Sequence, residues 1–130
     1  MVAAHVRILV VDDEPSITHC VCQGLEMLGY RPRAAYNGQQ ALDEVTRERP
    51  DLVILDLAMP ILDGYAVLDA LRADPETRGI PVIVLSALNA EPEVVRGLRA
   101  GATVYLSKPF DVEKLKALVT AVLGSRKGPP

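Results

Sequence analysis

Asp51-Leu52-Val53-Ile54-Leu55-Asp56-Leu57-Ala58-Met59-Pro60 is an apolar run that ends on a carboxylate. Leu52 to Leu55 shows no alternation of apolar and polar residues, so a strand here is buried on both faces, as in a parallel sheet covered by helices. Pro60 has no N–H to continue a strand or helix, so the chain turns outward just after Asp56. In open parallel sheets, ligands bind in the crevice beyond the carboxyl ends of the strands. Asp56 alone would also fit a turn-capping role. The residues at the other strand ends decide between the two.

Working outward, four more stretches read as strands: the apolar Val6 to Val11 and Pro81 to Ser86, the weak Arg31 to Ala35, and Thr103 to Ser107. Each run is followed by a helical pattern. Asp12-Asp13-Glu14-Pro15-Ser16 is a helix start with acids in its first turn, and Ile17, Val21, Leu25 and Leu28 form one apolar stripe that Gly29 ends. Asn37-Gly38 opens a second helix carrying Ala41, Leu42 and Val45 inward. Asp63-Gly64 opens a third, with Tyr65, Leu68 and Leu71. Ala90-Glu91-Pro92 opens a fourth, with Val94, Val95 and Leu98, which stops at Gly101. Asp111 caps a fifth carrying Leu115, Leu118, Val119 and Val122.

Strands alternating with helices imply a doubly wound α/β fold with a parallel sheet. Pro32 pushes the second strand to an edge, while the apolar first and third strands favour the middle. The expected fold is therefore flavodoxin-like, with five strands in the order 2-1-3-4-5 and five helices. One domain over residues 1–124 is followed by a polar, breaker-rich tail or linker stub over 125–130.

That layout brings four strand ends to one rim. The first strand ends in Asp12-Asp13, the third in Asp56, the fourth in Ser86 and the fifth in Lys108. Three carboxylates in one crevice repel, and a divalent cation removes the conflict. Hard oxygen ligands favour magnesium, which keeps several waters and binds phosphate oxygens. Lys108 supplies a point charge for a phosphoryl group, Ser86 a hydroxyl donor, and central Asp56 a nucleophile that would form an aspartyl phosphate.

Composition narrows the function classes. The 130 residues carry a net charge of −3, which gives no electrostatic footprint for nucleic acid. No apolar run reaches the roughly 20 residues that span a bilayer, and Ile8 to Val11 is too short for a signal-peptide core. A soluble, cytoplasmic protein without membrane contact is expected. Cys20 and Cys22 point in different directions on a helix, suit neither a disulfide nor a two-thiolate metal site, and read as small buried or half-buried apolar residues. His5 and His19 lie away from the rim. Glu14 reads as a helix-dipole partner.

These stretches together resemble the receiver domain of two-component response regulators, the chemotaxis-type α/β fold. The matching motifs are Ile8 to Pro15 with Asp12-Asp13, then Asp51 to Gly64, then Val84-Leu85-Ser86-Ala87, and then Gly101-Ala102 through Tyr105-Leu106-Ser107-Lys108-Pro109-Phe110. The resemblance implies that Asp56 accepts a phosphoryl group from a sensor histidine kinase or phosphotransfer protein. It also implies Mg2+ on Asp13, Asp56 and the backbone carbonyl of Ala58, with Asp12 acting mainly through a water. Lys108 would contact the phosphoryl group. Ser86 and Tyr105 would be the switch pair, reporting to a face of the fourth helix, fifth strand and fifth helix that controls an output protein or fused effector domain, or a homodimer formed on phosphorylation. A cis Lys108–Pro109 bond is implied as well. Ala58 departs from the usual pattern in having no polar side chain, which bears on dephosphorylation, and Thr103-Val104 replaces a pair that is often acidic.

Two other classes compete. A magnesium phosphatase would want a second acid beside Asp56, and Leu57-Ala58 offer none. A flavin or nucleotide carrier would need a loop rich in Gly, Ser or Thr, whereas Asp12-Asp13-Glu14 repels phosphate. The reading is a switch, with no turnover beyond its own phosphorylation and dephosphorylation.

Overall fold

The runs without polar alternation become the centre of a sheet, as their burial on both faces requires. The computed structural model describes residues 6–57, 59, 62–86 and 101–127. Along these the elements are β1 (Arg7–Val11), α1 (Pro15–Met27), β2 (Arg31–Ala35), α2 (Gly38–Arg47), β3 (Leu52–Asp56), α3 (Gly64–Ala73), β4 (Val82–Ser86), β5 (Val104–Ser107) and α4 (Val112–Lys127). The helix expected from Ala90 lies outside the described residues.

The sheet order is β2-β1-β3-β4-β5, all parallel, as expected. All five residues of β3 and of β4 are buried, while β2 is only partly so. Alternate residues serve opposite faces. Leu9, Val11, Val53, Leu55, Val82 and Val84 pack with Ala41, Val45, Val67, Leu68 and Leu71 from α2 and α3. Ile8, Val10, Leu52, Ile54, Ile83 and Leu85 pack with Val21, Leu25, Leu115 and Val119 from α1 and α4.

The helix ends follow local chemistry, with four corrections to the sequence reading. The acids before α1 do not lie in its first turn. Pro15 is the first helical residue and Glu14 the N-cap, while Asp12 Oδ1 turns back to accept from the Glu14 N–H at 3.0 Å. Leu28 is no part of the core stripe. It follows the last turn of α1, is 38% exposed, and precedes Gly29 at φ +90°, a conformation that favours glycine. Cys20 is exposed rather than buried, whereas Cys22 is half-buried and burial, aided by Glu26, pushes its thiol up to about 11. Finally, α4 runs through Gly124 to Lys127, since one glycine costs a helix only about 1 kcal/mol. Asn37, Asp63 and Asp111 cap as expected: Asn37 accepts from the Gln40 N–H at 2.8 Å, Asp63 from Ala66 at 2.9 Å and Asp111 from Glu113 at 2.9 Å.

One element of the architecture was invisible in the sequence. Arg72, near the end of α3, donates to the Gly101 carbonyl from Nε at 2.9 Å and Nη2 at 2.7 Å, and from Nη1 to Ile80 at 2.6 Å and Arg78 at 3.1 Å. It thus ties the approach to β4 to the approach to β5, and burial draws its pKa below the usual guanidinium range. Arg72→Met keeps the stem and removes the donors, leaving part-buried carbonyls without partners. A loss of about 2 kcal/mol is expected in urea unfolding, and an unchanged midpoint would show that water replaces the guanidinium.

Candidate functional site

Parallel pairing fixes which side chains share the rim. Val11 stands opposite Leu55, and Asp56 opposite Leu85, so the residues that follow β1 and end β3 and β4 emerge together. Asp12 follows β1, and its N–H donates to the Ala35 carbonyl at 3.1 Å, holding that turn against the end of β2. The Leu57 N–H donates to Leu85 at 3.1 Å, and the Lys108 N–H to Ser86 at 2.8 Å, carrying the sheet pairing to its edge.

Asp12, Asp13 and Asp56 each offer a carboxylate oxygen within 4.8 Å of the others. Asp12 is fully buried, Asp56 is 3% exposed and Asp13 faces solvent. Lys108 reaches in from the end of β5. Its Nζ lies 2.8 Å from Asp12 Oδ2, 3.2 Å from Asp56 Oδ2 and 3.9 Å from Glu14 Oε1. The Asp56 contact is also a hydrogen bond; the Asp12 contact is an ion pair that does not align as one. Burial is the largest single influence on Lys108 and opposes its charge. The Asp12 contact and the negative charges of Asp56 and Asp12 together outweigh it, and the pKa ends above the ordinary 10.5.

Of the residues singled out in the sequence, Asp12, Asp13, Asp56 and Lys108 therefore meet at one point. Ser86 ends β4 beside them and is fully buried. Tyr105 pairs with Val84 on β5, half-buried against the cluster that covers the α2–α3 face of the sheet. Ala58 lies outside the described residues. Lys108–Pro109 is cis. His19 is exposed on α1, away from the cluster.

The sequence reading missed an apolar groove of about 490 Å³ beside this point. It is lined by Ile17, Cys20 and Val21 of α1 and by Pro109, Phe110 and Val112, with Lys108 at its edge. Ile17 and Val21 do lie on the apolar stripe of α1, with Val21 buried in the core, so their spacing alone does not single out a groove. Nothing in one dimension says that the two stretches face each other.

A divalent cation fits this donor set. Three hard-oxygen groups converge, one ammonium does not balance three carboxylates, and Asp12 Oδ2 has no aligned hydrogen bond to lose. Among the described residues, no helix is long and apolar enough to cross a membrane.

Residues 8–120 match the family described as response regulator receiver domain. The chain is 43% identical over 117 residues to the DNA-binding dual master transcriptional regulator RpaA of Synechocystis, covering 90% of this chain and 48% of that protein. It is 43% identical over 120 residues to the transcriptional regulatory protein PrrA of Mycobacterium tuberculosis, covering 92% of this chain and 51% of that one. The chain thus spans about half the length of these curated relatives. Among solved structures, the receiver domain of a signal transduction histidine kinase from Syntrophus aciditrophicus superposes with a TM-score of 0.88 at 36% identity, over 96% of this chain and 95% of that one. The chemotaxis protein CheY4 of Vibrio cholerae superposes at 0.85 with 31% identity, over 90% and 98%.

Proposed function

Because the chain belongs to the response regulator receiver domain family, a family of signalling switches in two-component systems, we propose that Asp56 is its phosphoacceptor. The observation that carries this reading is the convergence of Asp12, Asp13, Asp56 and Lys108 on one rim. Asp56 is the only one of the three acids that stands at the centre of the sheet with both Lys108 and the end of β4 beside it. A carboxylate oxygen of Asp56 attacks phosphorus, the bond from phosphorus to the donor histidine nitrogen breaks, and the imidazole keeps the electron pair and takes up a proton. Receiver domains act with sensor histidine kinases, and the groove along α1 and Pro109-Phe110 is suited to an apolar helical face of such a donor, since it opens directly beside Lys108.

Mg2+ held by Asp13, Asp56 and the Ala58 backbone carbonyl, with Asp12 behind, would neutralise charge building on the phosphoryl oxygens. Lys108 then gives up part of its pairing with Asp56 and turns its charge to the phosphoryl group. The Ser86 hydroxyl donates to another phosphoryl oxygen. Its movement leaves room for Tyr105 to turn further inward. A charge-assisted hydrogen bond of about 1.5–3 kcal/mol biases such a two-state element roughly tenfold or more. The changed surface is the face expected of the helix that opens at Ala90, which lies outside the described residues, together with β5 and α4, and it controls an output partner, a fused effector domain or a homodimer. The curated relatives are transcriptional regulators, which favours an output that acts on transcription over a chemotaxis-type one, with DNA contacts made by another part of such a regulator. We place the receiver unit at residues 1–124, with the last turn of α4 carrying on into the tail over 125–130, in the cytoplasm, where kinases of this class deliver phosphoryl groups.

The test is intact-protein mass spectrometry after incubation with acetyl phosphate and Mg2+. The wild type gains one phosphoryl group, and the gain disappears with EDTA. Asp13→Ala is expected to weaken Mg2+ binding by about tenfold or more, since Mg2+ leans on only one or two carboxylates, and to slow labelling in step. Unchanged Mg2+ affinity in a calorimetric titration of that variant would move the metal away from this cluster.

A further inference from the structure

Asp12, Asp13 and Glu14 follow β1 in succession, and the site described so far uses the first two. Glu14 is the N-cap of α1. At that position a side-chain oxygen ordinarily accepts from the N–H of the second or third helical residue. The Glu14 side chain makes no such bond. Its backbone is engaged instead: the N–H donates to Asp12 Oδ1 at 3.0 Å, and the carbonyl accepts from Ile17 at 3.0 Å and Thr18 at 3.2 Å. The backbone is therefore pinned against the acidic cluster while the carboxylate stands 59% exposed.

That carboxylate stands beside Lys108. Glu14 Oε1 lies 3.9 Å from Lys108 Nζ, and the same ammonium lies 3.2 Å from Asp56 Oδ2. Glu14 is thus two short contacts from Asp56, on the wet side of the lysine, since Asp12 and Asp56 are buried. In an in-line displacement the leaving group lies across phosphorus from the attacking oxygen. Asp56 attacks from the buried floor, so the leaving group departs toward water, the side on which Glu14 is exposed. Ser16 and Ile17, in the turn that Glu14 caps, line the groove that opens beside Lys108. During transfer Lys108 is committed to the phosphoryl oxygens and Asp13 to the cation, which leaves the Glu14 charge to act on the leaving group.

We propose that Glu14 selects the donor by charge: its carboxylate favours a phosphoryl group delivered from a protonated nitrogen over one delivered from an oxygen acid. The inference rests on Asp56 being the acceptor and names the donor class for that same site. In the step, an Asp56 carboxylate oxygen bonds to phosphorus, the bond from phosphorus to the leaving atom breaks, and the leaving atom keeps the electron pair. From phosphoramidate the departing fragment begins as a protonated, cationic nitrogen and leaves as neutral ammonia. From acetyl phosphate it begins neutral and leaves as the acetate anion. The two fragments differ by one unit of charge at every stage, the transition state included. A fixed negative charge at the mouth therefore helps the first relative to the second, however far bond breaking has gone. A phosphohistidine with a protonated ring belongs to the first class. At a separation of about 7 Å in a partly wet site, one unit of charge is worth about three- to tenfold in relative rate.

The experiment labels wild type, Glu14→Gln and Glu14→Lys with phosphoramidate and with acetyl phosphate, each at Mg2+ saturating for that protein. Intact-protein mass spectrometry reads the two second-order labelling rates. Glu14→Gln is expected to lower the phosphoramidate to acetyl phosphate rate ratio about three- to tenfold, and Glu14→Lys by about the square of that factor. Raising the ionic strength from about 0.1 M to about 1 M shortens the screening length from about 10 Å to about 3 Å and should draw the three ratios together. A role for Glu14 in the fold or in holding Mg2+ would change both rates alike. A ratio that stays at the wild-type value overturns the proposal, as does a shift that persists undiminished at about 1 M salt. Glu14→Gln decides alone if the charge reversal does not fold. Asp56→Asn separates the two readings: label on that variant from either donor would remove the acceptor assignment. An unlabelled Asp56→Asn together with a constant ratio across the position 14 series would remove the role of Glu14 and leave the acceptor in place.

Discussion

Asp56→Asn protein, incubated with acetyl phosphate and saturating Mg2+, is expected to gain no phosphoryl mass and no acid-labile label under conditions that label the wild type. The amide matches the carboxylate in shape but offers no anionic oxygen to attack phosphorus, so the loss is of the reaction itself. The fold should survive. Asp56 is 3% exposed and shares Lys108 with Asp12, so the amide gives up one charged partner of the lysine and at the same time relieves crowding among three carboxylates. These effects oppose, and metal-free stability is expected to stay within about 1 kcal/mol of the wild type. Mg2+ should raise the melting temperature of the variant less than that of the wild type, because one of the three carboxylates that would attract it has lost its charge. Label persisting at the wild-type level would move the acceptor to Asp12 or Asp13. Peptide mapping would tell the fully buried residue from the exposed one.

The fold was legible because burial and strand pairing leave direct marks on the chain. A run such as Leu52 to Leu55 can satisfy neither a surface strand nor a one-sided sheet, and it takes the centre. Pro32 cannot donate within a ladder, and β2 takes an edge. Once the strand order is set, Asp12, Asp56, Ser86 and Lys108 fall on one rim without further information. Most features that escaped the sequence reading depend on distant stretches of the chain meeting. Arg72 looks like any basic residue near a helix end, and its meeting with the Gly101 and Ile80 carbonyls arises from a chain path that no local pattern encodes. Gly38 follows an asparagine and reads as a turn and helix start, while its closest constraint on a side chain is the Leu62 carbonyl, 24 positions further along the chain. Leu28 has helical spacing but falls after the last turn, where spacing no longer implies burial.

Lys108 was read from the sequence as a phosphate contact, and the structure adds a duty that comes before any phosphate. Without metal its ammonium is the counter-ion of two buried carboxylates, at 2.8 Å from Asp12 and 3.2 Å from Asp56. Lys108→Ala leaves those charges without a cation in a place where one is fully buried and the other nearly so. Breaking a buried pair from one side costs several kcal/mol; with Asp13 and the rim open to water, about 3 kcal/mol is expected here. For a domain of this size that is a fall of about 10 °C in metal-free melting temperature. The sign of the pH dependence follows from the raised pKa of Lys108. Its contribution is complete below the ordinary 10.5 and fades only as pH climbs through the higher folded value, so measurements at neutral pH see all of it. Mg2+ should recover most of the loss, since a divalent cation can replace the missing charge. The variant no longer sets an ammonium against the incoming metal, so its Mg2+ affinity is expected to rise by about tenfold, worth about 1.4 kcal/mol. Melting curves across a Mg2+ titration test both statements, with the two proteins far apart at zero metal and converging as the metal saturates. Parallel curves would mean that the lysine pairing contributes nothing to the metal-free state. Phosphorylation of the metal-loaded variant should nevertheless be slow, because the charge that Lys108 turns toward the phosphoryl group is gone while the metal that can replace it in the folded state is already in use.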